Sequence, residues 1–260
     1  MQVKLSQAVK MFFGNSSLEM VFFEAIANAL DAEANEITIS ITAKALNQPE
    51  TLQIEISDNG LGFTNERYNK FSKLFDVEES SHKGLGRLVY LCYFDDVKVI
   101  SNYDKVKVRE FDFNEGFKED NFKSSIVPET KSGTVFKMTS YVLQRIAKNE
   151  YVSADYLKSR ILQEFYSRLF HLKDNGQRVV ININTNIENH KKELILLNSD
   201  IPKFKTVELE SSVNLIDTFY LHYSIKEVDP SESSLIAAVS VDNRTVKVDI
   251  VAEENIPTGY

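Results

Sequence analysis

The segment from Leu18 to Ala32 is apolar around nearly its whole circumference as a helix, yet Glu24, Asn28 and Asp31 recur in it at i, i+4 and i+7. At 100° per residue these three fall within a sector about 60° wide, on one stripe. Met20 and Ala27 flank that stripe on one side and Val21 and Ala32 on the other, while Leu18, Phe22, Phe23, Ala25, Ile26, Ala29 and Leu30 fill the rest. Such a helix is buried, and a buried carboxylate without a partner is costly. The stripe therefore requires a ligand, a metal or a pocket of water. Ser16 and Glu19, three residues apart at the head of the run, predict a capping box that sets the helix start and the direction of the stripe. On an isolated amphipathic helix, acids at this spacing simply face solvent, so the neighbouring segments decide.

Three of them bear on the question. Leu52 to Ser57 alternates apolar and polar residues, as a half-buried strand does, and Asp58 continues the inward parity just before Asn59-Gly60, where the chain can turn. Gly60 and Gly62 remove two side chains where a flat ligand such as a purine could approach the backbone. Next, Lys83-Gly84-Leu85-Gly86-Arg87 feeds an apolar segment from Leu88 to Phe94. A glycine loop opening a helix presents backbone N–H groups and a positive dipole end to phosphate oxygens, and Lys83 and Arg87 add charge. No GxxxxGK[ST] occurs and neither GxG extends to GxGxxG, which excludes the P-loop and Rossmann readings. Finally, Ser132-Gly133-Thr134 opens a strand, and a Thr hydroxyl there can bond a buried Asp or a base edge.

In this order and spacing the four elements resemble the GHKL superfamily of ATPases (gyrase B, the large heat-shock chaperones, sensor histidine kinases and MutL-type repair proteins) over roughly the first 140 residues. Its first motif reads Glu24-Ala25-Ile26-Ala27-Asn28-Ala29-Leu30-Asp31-Ala32 without a departure; the second reads Asp58-Asn59-Gly60-Leu61-Gly62. The third is met by Gly84-Leu85-Gly86, with His82-Lys83 where many members carry another glycine, and the fourth by Gly133-Thr134. The resemblance implies an α+β fold of the Bergerat type, a mixed sheet layered with helices. It also implies ATP and Mg²⁺ as ligands. Asn28 would ligate the metal through its side-chain oxygen, and Glu24 would orient and deprotonate the attacking water. Asp58 would accept a bond from the exocyclic amine of adenine. Asp31 would support the pocket, and Gly84, Leu85, Gly86 and Arg87 would close over the phosphates. Sensor kinases tend to carry an amide where this chain has Glu24 and a basic residue where it has Asp31, so the hydrolysing, MutL/MORC-like branch is expected. With about 15 residues ahead of the first helix, no phosphoacceptor helix is expected there, and His171 reads as a helix-end residue.

The implied activity is a slow ATPase whose nucleotide drives lid closure and homodimerisation, as a clamp or switch in DNA maintenance or defence, with nucleic acid or protein as further partners. The alternatives are a nucleotide-gated binding module with little hydrolysis and a protein kinase of the same superfamily. A net charge of −8 argues against a surface that coats nucleic acid. The single Cys92 excludes an internal disulfide, no His/Cys pair has zinc spacing, and no apolar run is long enough for a bilayer, so a cytoplasmic protein is expected.

Strands are predicted near 37–42, 52–57, 97–101, 105–112 and 134–139, and helices near 17–34, 65–76 and 86–95, with a polar excursion from Asn114 to Lys131. This divides the chain into an ATP-binding domain over 1–150, a connecting helix in 151–174 and a β-rich, transducer-like region over 175–260. In the last, Val241-Asp242-Asn243-Arg244 resembles the VNGR strand of MutL and MORC transducers. No transducer lysine is assignable among Lys203, Lys205 and Lys247.

Overall fold

The computed structural model describes residues 9, 11, 13–73, 85–201, 205–210, 218–223, 240, 241, 244 and 245. Its helices are α1 (Glu19–Asp31), α2 (Asn65–Ser72), a single turn α3 (Tyr90–Tyr93) continuing a 3-10 turn (Gly86–Val89), α4 (Ala154–Glu164) and α5 (Tyr166–Asp174). Eight strands form one sheet: β1 (Glu36–Ala43), β2 (Gln53–Asp58), β3 (Phe94–Tyr103), β4 (Lys107–Asp112), β5 (Lys123–Ile126), β6 (Gly133–Tyr141), β7 (Val180–Ile187) and β8 (His190–Leu197). Their order is β5-β4-β3-β6-β2-β1-β7-β8. Every pairing is antiparallel except β1 with β7, so the sheet is mixed.

The strands alternate because one face is covered and the other is not. Ile37, Ile39 and Ile41 of β1, Ile54 and Ile56 of β2 and Ile181 and Ile183 of β7 are buried against the helical layer. The open face is polar, with Asn182 bonded to Thr38 and Lys137 paired to Glu55. Phe22, Ile26 and Val21 bury one side of α1 on this sheet, and each contributes about 1.5–3 kcal/mol relative to exposure. Its remaining face carries Met20, Glu24, Ala27, Asn28 and Asp31, none of them buried, which is the stripe read from the sequence.

Four expectations are corrected. The capping box does not form: α1 starts without a side-chain cap. Glu19 is instead buried against α4, taking the Tyr156 hydroxyl on Oε2 at 2.6 Å and Arg160 Nη2 on Oε1 at 3.1 Å. A charge-assisted bond to a guanidinium is stronger than one to a neutral backbone N–H. The helix expected over 86–95 gives way at Phe94, where the backbone is extended and pairs with Tyr141. The connecting helix is two helices, broken at Phe165, whose ring packs edge-on to Phe23 at 6.2 Å. Strands β7 and β8, expected to open a second region at 175, are hydrogen-bonded into the first sheet. Alternation reveals that a segment is a strand but not which sheet it joins; the free edge of β1 takes β7 as its partner.

Beyond them lie two small antiparallel ribbons, β9 (Lys205–Glu210) with β10 (Thr218–Tyr223) and β11 (Ser240–Val241) with β12 (Arg244–Thr245). Asp242 and Asn243, together with Lys203 and Lys247, lie outside the described residues.

Candidate functional site

At the end of the sheet a row of polar side chains interrupts the apolar face. Strand register aligns Asp58 of β2, Thr134 of β6, Ser101 of β3 and Arg109 of β4. One step inward, the corresponding row reads Ile56, Phe136, Val99 and Phe111. Thr134, Ser101 and Arg109 are all buried. Polar atoms at such positions need partners, and the segment from Gly60 to Thr64 supplies them. Gly60 N–H donates to Asp58 Oδ1 at 2.8 Å, Phe63 N–H donates to Ser101 Oγ at 2.7 Å, and Arg109 Nη1 donates to the Phe63 carbonyl at 2.7 Å.

The two glycines of this segment are required by close approach. A Cβ on Gly60 would stand 2.6 Å from the Ala32 carbonyl at the end of α1, and Gly62 has φ +71° with its Cβ position 2.3 Å from the Asn102 carbonyl. The Ala32 carbonyl also accepts the Leu61 N–H, and Asn59 bonds the Asn35 and Glu36 N–H groups, so the turn is fastened to both α1 and β1. Burial pushes the Asp58 carboxyl up to about 6, against the lowering effect of the Gly60 and Thr134 N–H groups and of nearby Arg67. A carboxylate held at that cost, at the end of a core strand, marks a candidate site for a polar ligand.

Glu24 and Asn28 meet one turn apart on α1. Asn28 Nδ2 donates to Glu24 Oε1 at 3.1 Å, which leaves Asn28 Oδ1 as acceptor or cation ligand. Against them lies the glycine turn: a Cβ on Gly86 would stand 2.1 Å from Glu24 Oε2. The Tyr90 hydroxyl, fully buried beside Asn28 and facing Glu24, makes no hydrogen bond of normal geometry. Among the described residues no three His, Cys, Asp or Glu side chains could hold a metal between them. An amide oxygen alone suits a hard divalent cation whose other ligands come from water and phosphate, as Mg²⁺ prefers. The donor set fits Mg²⁺ on those terms.

Two further expected residues are engaged by protein partners of their own. Arg87 is buried and donates Nη2 to the Lys73 carbonyl at 3.0 Å and Nη1 to the Lys70 carbonyl at 3.3 Å, with its guanidinium 4.9 Å from the Phe71 ring centroid. It caps the end of α2, where unpaired helix carbonyls attract a cation, and its charge is near enough to Glu24 to be attracted by it. The Asp31 carboxylate pairs with Arg168 of α5 at 2.8 Å, and its carbonyl accepts from Arg67. Lys83 and Gly84 lie outside the described residues. Ser101, Arg109 and Tyr90 were not anticipated. For the first two a signal existed: Ser101 shares the inward parity of Val97 and Val99, and Arg109 that of Phe111.

Among the described residues no helix is long and apolar enough to cross a membrane. Similarity to known proteins bears on the nucleotide reading. Residues 14–139 match the model of the histidine kinase-, DNA gyrase B- and HSP90-like ATPases. No curated protein shows significant similarity to the chain. Among solved structures, the N-terminal domain of a DNA repair protein superposes with a TM-score of 0.50 at 16% identity, over 80% of this chain and 64% of that one. The chain thus spans under two thirds of that relative. The ATP-binding domain of topoisomerase IV from Francisella tularensis, in complex with a small-molecule inhibitor, gives 0.48 at 16% identity over 73% and 92% of the two chains. The MutL ATPase domain of Aquifex aeolicus complexed with ADP gives 0.48 at 16% over 89% and 83%. At such identity likeness speaks to the fold alone, the α+β Bergerat type, and the function class rests on the matched motifs. Residues 14–139, which contain Glu24, Asn28, Asp58, Gly86 and Thr134, are therefore a domain of the histidine kinase-, DNA gyrase B- and HSP90-like ATPase family.

Proposed function

We propose that this protein binds ATP with Mg²⁺ between α1, the Gly60–Gly62 turn and the Gly84–Gly86 loop, and hydrolyses it slowly. The observation that carries this is the approach of the Gly86 backbone to Glu24 Oε2, so close that any side chain added at 86 would push the Glu24 carboxylate aside. A glycine turn intended for phosphate and an acid intended for water thereby share one spot.

Asp58 accepts the exocyclic amine of adenine, with Thr134 beside it, and Gly60 and Gly62 leave room for the ring. Asn28 Oδ1 is the protein's ligand to the metal. When bound, Mg²⁺ neutralises charge on the phosphate oxygens. Glu24, steadied by the Asn28 amide, takes the proton of the attacking water. Asp31, engaged by Arg168, supports the pocket wall from the α5 side and not as a direct ligand. Arg87 acts on the glycine loop from behind, through α2.

By its motifs the chain falls in the hydrolysing, MutL/MORC-like branch. Nucleotide-dependent dimerisation, a role in DNA maintenance or defence, and a transducer-like region after the sheet follow from that reading. Glu24→Ala tests it. ATP binding is retained and turnover drops by about 10²–10⁴-fold, measured as phosphate release beside calorimetric affinity. Unchanged turnover removes Glu24 from the role of base, and no binding at millimolar ATP removes the site altogether.

A further inference from the structure

We propose that Ser101 is a specificity-determining positioning residue, which sets the proton direction of the Thr134 hydroxyl beside Asp58 and thereby the base the pocket prefers. The inference rests on the adenine-binding reading above and adds a residue that no motif contains.

Proton accounting carries it. Ser101 is fully buried, and its hydroxyl has one proton and two lone pairs. One lone pair is taken by Phe63 N–H at 2.7 Å. Two groups then compete at 3.3 Å, the Gly133 carbonyl and Thr134 Oγ1. If the Ser101 proton goes to Gly133, the Thr134 proton turns back to Ser101 and Thr134 shows only lone pairs to the pocket. If it goes to Thr134 Oγ1, the Thr134 proton points outward as a donor. Gly133 is held in the competition by strand pairing opposite Asn102 and by close packing on Asp58, where an added Cβ would stand 2.2 Å from the Asp58 carbonyl.

The two arrangements suit different bases. Adenine presents an amine donor and a ring N1 acceptor, which match an acceptor at Asp58 and a donor at Thr134. Hypoxanthine presents the reverse, a carbonyl and an N1–H. Arg109 keeps the arrangement from relaxing. It holds the Phe63 and Thr64 carbonyls, with Asn65 Oδ1 at 2.6 Å, and is enclosed by the rings of Tyr68, Tyr103 and Phe122. Phe63 is thus held at both of its backbone groups, its carbonyl by Arg109 and its N–H by Ser101, in successive peptide units.

The test compares ATP and ITP affinity by calorimetry for the wild type, Ser101→Ala and Ser101→Cys, with Asp58→Asn as reference. A ratio of affinities is unaffected by loss of folded protein, so a merely structural role does not move it. The expected result is a fall of about tenfold in the ATP-over-ITP preference of Ser101→Ala, with a smaller fall in Ser101→Cys, whose thiol keeps the shape but bonds weakly. An unchanged preference in both Ser101 variants, while Asp58→Asn abolishes it, overturns the proposal and leaves the site reading standing. A wild type that binds neither nucleotide overturns the site reading, and this inference with it.

Discussion

The two ends of the candidate site, base-facing and water-facing on the proposed reading, are built differently. At Asp58, Thr134 and Ser101 the groups lie on three adjacent strands and satisfy one another and the Gly60–Thr64 backbone before any ligand arrives. At Glu24 and Asn28 the groups lie one turn apart on a single helix and bond each other, beside a buried Tyr90 hydroxyl that makes no hydrogen bond of normal geometry. On the proposed reading, selectivity sits where sheet register fixes positions, and chemistry sits where one helix presents its side chains to the glycine turn. The energetic signature should differ accordingly, with mutations at the first end changing stability and affinity together and those at the second changing turnover alone.

The largest effect expected from that contrast, after loss of Glu24 itself, is at Gly86. The atom its added Cβ would strike is the tip of a flexible Glu24 side chain, so Gly86→Ala folds normally but displaces the acid. Turnover falls by about 100-fold with the melting temperature nearly unchanged. A loss of stability as large as the loss of rate would break the comparison.

Asp58→Asn comes next. Removing a charged acceptor weakens ATP binding by about 10–100-fold. It also changes stability in the opposite sense. Asp58 titrates near 6 in the fold against an ordinary 3.8, so the fold disfavours its charged form. The group therefore costs stability above pH 6, and that cost is relieved as pH falls from 6 towards 3.8. The variant should gain about 1–2 kcal/mol at pH 7.5, and the gain should vanish near pH 4 in paired melts. A variant less stable than the wild type at pH 7.5 contradicts it.

The smallest effect sharpens the contrast most. Ser101→Ala leaves the Phe63 N–H without its acceptor and costs about 1–3 kcal/mol, whereas Tyr90→Phe removes a hydroxyl without a hydrogen bond of normal geometry and leaves stability within about 1 kcal/mol. Chemical denaturation of the two side by side decides the matter; equal losses would mean that Tyr90 is already paired in solution.

Much of the site was legible because its spacing is local. Glu24 and Asn28 are neighbours on any helix, and Gly60 and Gly62 announce a tight turn. The partners of Arg87 were hidden for the opposite reason. Its place beside the glycine loop made it look like a phosphate ligand, but the α2 carbonyls it caps are more than ten residues earlier in sequence. Glu19 was misread likewise, since Arg160 competes for it from 141 residues away.

Periodicity in this chain thus determined the site-bearing helix and strand segments and which of their side chains share a face, because 3.6- and 2-residue repeats are properties of the backbone alone. Tertiary structure decided which strands adjoin. That juxtaposition places Asp58, Thr134, Ser101 and Arg109 in one row, brings β7 and β8 into the first sheet, and chooses the partners of Glu19, Asp31 and Arg87. The reason is that a buried charge takes whichever partner the packed fold brings near it, and sequence distance does not enter that competition.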